Sequence, residues 1–259
     1  FSTIPNLLGP LIAVGIWHVE NMSIFAIVMI FIAVTTTLFG YRTTFANTQK
    51  EVSPKDEVLP FNAMTVYVQF FKNKALFCSG MIMILSSIVF GAMSTFIPLY
   101  TVREGFANAG IFLTIQAITV VIARFYLRKY VPSDGLWHHR FMMIVLTLLM
   151  VASVIVAFGP HIVSIFVYIS AIFIGITQAL VYPTLTTYLS FVLPKIGRNM
   201  LLGLFIACAD LGISLGGVLM GPISDTVGFK WMYILCALLV TIAMTLSKIR
   251  QRQSVSKAS

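Results

Sequence analysis

The stretch GLFIACADLGISLGGVLMGP, residues 203–222, decides the fold of this chain. It is long and apolar enough to cross a membrane as a helix, and it is rich in glycine. Small residues let helices approach closely in lipid. One carboxylate, Asp210, lies near the middle, and a charge at bilayer depth usually faces the protein interior or a water-filled path. We therefore expect a packed helix with Asp210 buried beside a transport route.

The overall composition also points to a membrane protein. Of the 259 residues, 59% are hydrophobic and only 10% are charged, whereas soluble domains carry about 25% charged residues. The three cysteines lie in apolar segments without paired spacing, which predicts neither disulfides nor a cysteine metal site. His138 and His139 are adjacent and cannot chelate from one helical face. We recognise no metal cluster, phosphate-binding loop or catalytic triad, so no enzyme activity and no cofactor are expected.

The apolar segments predict an all-α polytopic membrane protein. Segments long enough to span a bilayer cover residues 1–17, 22–41, 75–98, 107–127, 141–159, 162–190, 200–222 and 231–247. The polar stretch 42–74 contains Pro54 and Pro60, which interrupt helices, and we predict a loop between two bundles there. The third segment is expected to end at Pro98. Residues 75–247 then form a six-helix bundle, followed by a tail over 248–259.

The basic residues predict the orientation in the membrane. If Phe1 is placed on the cytoplasmic side and the segments alternate, all of the 17 Lys and Arg residues except Arg103 and Lys230 fall on the inner side. This is the positive-inside pattern of plasma-membrane proteins. It predicts a multi-pass membrane protein with a cytoplasmic C-terminus. It also explains the net charge of +9 without a nucleic-acid partner.

Several polar side chains within the segments are candidates for a substrate path. Gln116 and Arg124 lie in the fourth segment, and Gln178, Tyr182 and Tyr188 recur on roughly one helical face of the sixth. The alternatives are a hydrogen bond between helices for the glutamines, snorkelling to the headgroups for the arginine, and packing or interface anchoring for the tyrosines. The sequence leaves both sets of roles open.

Asp210 is the candidate for proton coupling. A carboxyl group in low-dielectric surroundings can take up and release a proton during a transport cycle. A structural hydrogen bond between helices is the alternative role. Both roles are compatible with its position in the seventh segment.

Two segments six apart can be aligned. NLLGPLIAVG at 6–15 lies over SLGGVLMGPI at 214–223, and the offset of roughly 200 residues suggests two related six-helix halves. With this repeat the chain resembles the major facilitator superfamily. The resemblance implies that the chain is a fragment covering helices 5–12 of 12. Residues 1–41 would be the last two helices of the N-terminal bundle, and 42–74 the central cytoplasmic loop.

A glycine motif extends the resemblance. Gly9-Pro10 followed by Gly15 resembles the helix-five motif of the proton antiporters in this superfamily, in which Gly-Pro bends the helix and flanking glycines close the packing. Helix packing is therefore the role expected for the glycines of both segments, namely Gly9, Gly15, Gly212, Gly216 and Gly217.

Longer stretches are similar to the exporters of opine metallophores in Gram-positive bacteria. They include FANAGIFLTIQAI at 106–118 and VYPTLTTYLSFVLPKIGRNMLLGLFIACADLGISLGG at 181–217. The resemblance implies proton-coupled export, by alternating access, of a small zwitterion with several carboxylates, of the staphylopine type. The expected partners are this metallophore, protons and the lipid bilayer, and the expected state is a monomer in the bacterial cell membrane. The alternatives are a multidrug antiporter of the same superfamily and a membrane protein without transport activity.

Overall fold

The computed structural model describes residues 70–161, 163–194 and 197–255, together with residues 30, 31, 34, 35, 37 and 68, and only the backbone of 252–255. The chain divides after Leu59 into two compact units, Ser2–Leu59 and Pro60–Ser259, and this division falls inside the predicted loop. The described positions between 30 and 37 are helical, within the second predicted segment. The predicted motif at Gly9, Pro10 and Gly15 lies outside the described residues.

The described part of the second unit consists of six α-helices, each long and apolar enough to cross a membrane. They are α1 (Lys74–Glu104), α2 (Ala109–Tyr126), α3 (His139–Ala157), α4 (Ser164–Val192), α5 (Arg198–Val227) and α6 (Phe229–Val255). Short 3-10 helices at Arg128–Tyr130 and Gly159–His161 precede α3 and α4. The prediction of an all-α membrane protein is confirmed. The last helix continues through the first part of the predicted tail.

Local sequence signals set where several helices begin and end. Asn73 caps α1, because its side-chain oxygen accepts hydrogen bonds from two backbone amides of the first turn, at 3.0 and 3.3 Å. Asn108 caps α2 in the same way. Gly105 ends α1 in the left-handed conformation, with φ of 67°, and Gly228 turns the chain between α5 and α6 with φ of 88°.

The prediction that Pro98 ends the first of these helices is wrong, since α1 continues to Glu104 with Pro98 inside it. Tertiary packing explains the difference. Tyr100 is 3% exposed, its hydroxyl donates to the Ala157 carbonyl at 3.4 Å, and its ring packs against that of Phe229. Membrane helices tolerate an internal proline when neighbouring helices hold the turn that follows it.

The centre of the described bundle is α1. In its most apolar stretch 78% of the residues are buried, compared with 33% in α5 and 22% in α2. The helices pack mainly in three pairs, α1 with α5, α3 with α6 and α2 with α4, and α1 also contacts α6 and α4. The glycine-rich stretch 203–222 therefore lies against the central helix and does not itself occupy the centre.

Glycines determine how closely α5 approaches α1. A Cβ atom at Gly212 would lie 2.5 Å from the Cβ of Ser87, and one at Gly216 would overlap a backbone carbonyl oxygen of α1. Gly217 differs, because a Cβ there would meet only the Thr95 hydroxyl at 3.7 Å, an ordinary contact. The expected packing role therefore applies to the first two glycines more than to the third.

Basic residues collect at one end of the bundle, which we call the basic end. Because consecutive helices run in opposite directions, this end holds the starts of α1, α3 and α5 and the ends of α2, α4 and α6. Its described basic side chains are those of Lys72, Lys74, Arg124, Arg128, Lys129, Arg140, Arg198, Lys248 and Arg250. Only Arg103 and Lys230 of the described basic side chains lie at the other end.

Candidate functional site

A side-chain hydrogen bond between α2 and α4 joins two of the predicted path residues. Gly175 of α4 permits the approach, since a Cβ atom there would lie 2.8 Å from the backbone oxygen of Gln116. The Gln116 side chain is 5% exposed, and its Nε2 donates to Oε1 of Gln178 at 3.1 Å. The Gln116 Oε1 has no hydrogen-bond partner among the described residues. The pair thus joins two helices and leaves one buried acceptor, the Gln116 Oε1, without a partner among the described residues.

A pocket of about 960 Å³ opens between α2 and α4 toward the basic end. Its wall contains two more of the predicted path residues, Arg124 and Tyr182, together with Thr186. Tyr182 lies one helical turn from Gln178, so the pocket continues the line of polar groups that begins at the glutamine pair. The structure therefore brings four of the five predicted path residues to one side of the α2–α4 pair.

This pocket, which we call the α2–α4 pocket, carries positive charge. Arg124, Arg128 and Lys129 line it, and none of the four Asp and Glu residues in the described part of the chain does. Arg128 and Lys129 were not among the path residues predicted from the sequence. The four-residue spacing of Arg124 and Arg128 was a signal that could have indicated one shared face. Such a pocket attracts anions and offers guanidinium groups that pair well with carboxylates.

Tyr188 does not belong to this line, so the prediction of one shared face for the three α4 side chains is wrong. Six residues beyond Tyr182, the helix has turned it toward α6 and the segment before α3. Its hydroxyl accepts hydrogen bonds from Arg250, at 3.1 Å from Nε and 2.7 Å from Nη2. Its ring packs edge-on against Trp137, with centroids 4.9 Å apart. Tyr188 thus joins α4, α6 and the segment before α3.

Asp210 is exposed in the described structure, contrary to the expectation that it is buried between helices. The physical reason is that α1 covers the face of α5 that carries Gly212, and Asp210 projects from the opposite side. It lies about 18 Å along the helix from Arg198 at 1.5 Å per residue, and it does not line the α2–α4 pocket. Among the described acids, only Asp210 lies well inside a spanning helix, since Glu104 and Asp225 lie near helix ends.

The described residues contain no group of three or more His, Cys, Asp or Glu side chains that could hold a metal ion. Cys78, Cys208 and Cys236 are free thiols. His138 pairs with Asp134 across 3.3 Å in the loop before α3, and both side chains are substantially exposed.

Comparison with known sequences assigns the family. The sequence profile of the Major Facilitator Superfamily matches residues 2–217 and 133–259. The chain belongs to the major facilitator superfamily. Together with the six helices able to cross a membrane, this membership makes it a multi-pass membrane protein of a transporter family.

Among members of this superfamily, the chain is similar to the staphylopine export protein of Staphylococcus aureus (strain Mu50 / ATCC 700699). The two are 70% identical over 251 residues, which cover 97% of this chain and 63% of the relative. Uncharacterised MFS-type transporters of Burkholderia mallei (strain SAVP1) and Burkholderia pseudomallei (strain 668) are 23% identical over 176 residues, or 68% of this chain and 42% of each relative. The chain thus spans less than two thirds of the length of these curated relatives.

Proposed function

We propose that the protein is a secondary active transporter that exports a small metal-chelating opine of the staphylopine type by alternating access. The observation that carries the proposal is the α2–α4 pocket, whose charged side chains are all cationic and which opens at the basic end. A substrate with several carboxylates needs cationic partners to replace the water it loses on binding. The 70% identity to a relative named staphylopine export protein supports this substrate class.

The residues of the pocket and of the glutamine pair have distinct proposed roles. Arg128 and Lys129, at the end of α2 and beyond it, raise the local concentration of the anionic substrate. Arg124, further inside, pairs with a substrate carboxylate through its guanidinium group. The unpartnered Oε1 of Gln116 accepts a hydrogen bond from an N–H group of the zwitterion. Tyr182 forms part of the wall between these positions.

Proton coupling is assigned to Asp210. A charged side chain facing lipid is costly, so we expect the open side of α5 to meet water or polar groups of the complete transporter. A carboxyl group in that position can take up a proton from one side of the membrane and release that proton to the other side. We further propose that the protein acts as a monomer in the bacterial cell membrane, with the basic end in the cytoplasm.

Export from cells tests the proposal. A strain lacking the gene should accumulate the opine inside and release little, and expression of the wild-type protein should restore release. Mass spectrometry of medium and cell extract measures both quantities. Equal external levels in deleted and wild-type cells would contradict the proposal.

The same strains distinguish opine export from the alternative of multidrug efflux. A multidrug antiporter predicts that the deletion increases sensitivity to hydrophobic cationic drugs and leaves opine release unchanged. The cationic α2–α4 pocket predicts the reverse, because it repels drugs of its own charge.

A further inference from the structure

A second cationic pocket of about 570 Å³ lies at the basic end and shares no lining residue with the first. It is formed where α1 begins, where α4 passes into α5 and where α6 nears its end. We call it the α1–α6 pocket. Lys72, Lys74 and Arg250 supply its charge, and none of the described acids lines it. The site therefore has three cations and no counter-charge in the described part of the chain.

The arginine of this pocket is held in a fixed orientation. Tyr188 accepts hydrogen bonds from Nε and Nη2 of Arg250, and Trp137 packs against the tyrosine ring. The second terminal nitrogen, Nη1, has no hydrogen-bond partner among the described residues. The hydrogen bonds from Nε and Nη2 thus orient the guanidinium group of Arg250. Its Nη1 N–H groups remain available to an anionic ligand.

The rim of the pocket is apolar on the side where α4 ends. Val192, which is 39% exposed, and Leu201 line it together with the cations. Both belong to helices long and apolar enough to cross a membrane. A ligand that fits both parts has an anionic group for the cations and apolar chains for the rim.

We propose that the α1–α6 pocket binds the phosphate group of an anionic phospholipid, with its acyl chains along the end of α4. Basic pockets between helices at the cytoplasmic end of membrane proteins suit such headgroups. The ammonium groups of Lys72 and Lys74, on flexible side chains, pair with the phosphate oxygens. Arg250 donates hydrogen bonds to the same phosphate from its remaining N–H groups. A free phosphate ion has the same charge chemistry but leaves the apolar rim unused.

Thermal unfolding of the intact protein in neutral detergent tests this site. The added probes are dioctanoyl phosphatidylglycerol, dioctanoyl phosphatidylcholine and inorganic phosphate. We expect phosphatidylglycerol to raise the unfolding midpoint of the wild type and phosphatidylcholine to leave it unchanged. In the K72Q/K74Q variant, the apparent affinity for phosphatidylglycerol should fall roughly tenfold or more. Both lysines are exposed, so the variant should fold. The single substitutions K72Q and K74Q should each lower the apparent affinity for phosphatidylglycerol by less than the double substitution does.

Lys248→Gln is the matched control. It removes the same charge at the same end of the bundle from an exposed position outside the pocket, and should keep the full response. A response to inorganic phosphate as large as that to phosphatidylglycerol would assign the same anion site to free phosphate. The proposal is overturned if K72Q/K74Q responds to phosphatidylglycerol as the wild type does, or if K248Q loses as much affinity.

Discussion

At the scale of single residues, side chains of the same type on α2 and α4 have different surroundings, depending on their position along the helix. Gln116 and Gln178 bond to one another, and Arg124 and Tyr182 line the α2–α4 pocket. Tyr188 lies on the same helix as Tyr182 yet binds Arg250 on another face. Three substitutions test these assignments directly.

Arg124→Gln tests substrate pairing. Loss of a charge-assisted hydrogen bond costs about 1.5–3 kcal/mol, so we expect the KM for opine export to rise roughly tenfold or more. Transport into inverted membrane vesicles measures this constant. The matched control is Arg140→Gln, an exposed arginine at the same end of the bundle that lines neither pocket. Equal KM values for R124Q and R140Q would remove Arg124 from the substrate path.

Asp210→Asn tests proton coupling. The amide keeps the size of the side chain and cannot carry a proton on and off, so we expect export to lose its stimulation by an imposed pH gradient. Proteoliposomes with and without the gradient provide the measurement. Downhill exchange of substrate without a gradient should persist, which shows that the variant is folded. Undiminished stimulation in D210N would assign coupling to another group.

Tyr188→Phe tests the structural role of this tyrosine. The substitution keeps the ring against Trp137 and removes the acceptor for Arg250, at an expected cost of about 1–2 kcal/mol of stability. Thermal unfolding should therefore show a lower midpoint, while the KM for the opine stays unchanged. Tyr126→Phe is the control, because Tyr126 is 73% exposed. A change in KM without a change in midpoint would return Tyr188 to the substrate path.

At the scale of helices, the α1–α5 contact depends on the absence of side chains. Gly212 and Gly216 bring the α5 backbone against α1, and α1 is the most deeply enclosed helix. Close approach of this kind stabilises helix pairs in lipid, where the hydrophobic effect contributes little between helices. Through α1 the pair also contacts α6 and α4.

Gly216→Ala tests this contact. The added methyl group overlaps a carbonyl oxygen of α1, and overpacking of this kind costs about 1–3 kcal/mol. We expect a clearly lower unfolding midpoint in detergent. The adjacent Gly217→Ala should leave the midpoint unchanged or raise it, because its methyl group would have only an ordinary contact with Thr95 and alanine favours a helix over glycine by about 0.5–1 kcal/mol. Equal midpoints for G216A and G217A would contradict the close packing.

At the scale of the whole molecule, the distribution of charge bears on the proposed orientation in the membrane. Nearly all described basic side chains lie at the end where both cationic pockets open. If this end faces the cytoplasm, the α2–α4 pocket meets a substrate made inside the cell. The orientation is therefore a condition for the proposed direction of transport.

Labelling of introduced cysteines tests the orientation. A membrane-impermeant maleimide should react with Lys230→Cys in intact cells, and with Lys248→Cys only after the cells are permeabilised. The native thiols Cys78, Cys208 and Cys236 are buried or half-buried, and a cysteine-free background removes their signal. Labelling of K248C from the medium would reverse the topology and with it the assignment of an exporter.

The sequence by itself determined the helical fold, the six described spans and the sorting of basic residues, because apolar length and loop charge are properties of local sequence. It did not determine which face of each helix meets which neighbour. Only the tertiary structure showed that α1 lies at the centre and that this helix continues beyond Pro98. It also showed that Tyr188 faces away from Tyr182 and that Asp210 is exposed. Those outcomes depend on rotations and contacts between segments distant in the chain, which a single helical period does not encode.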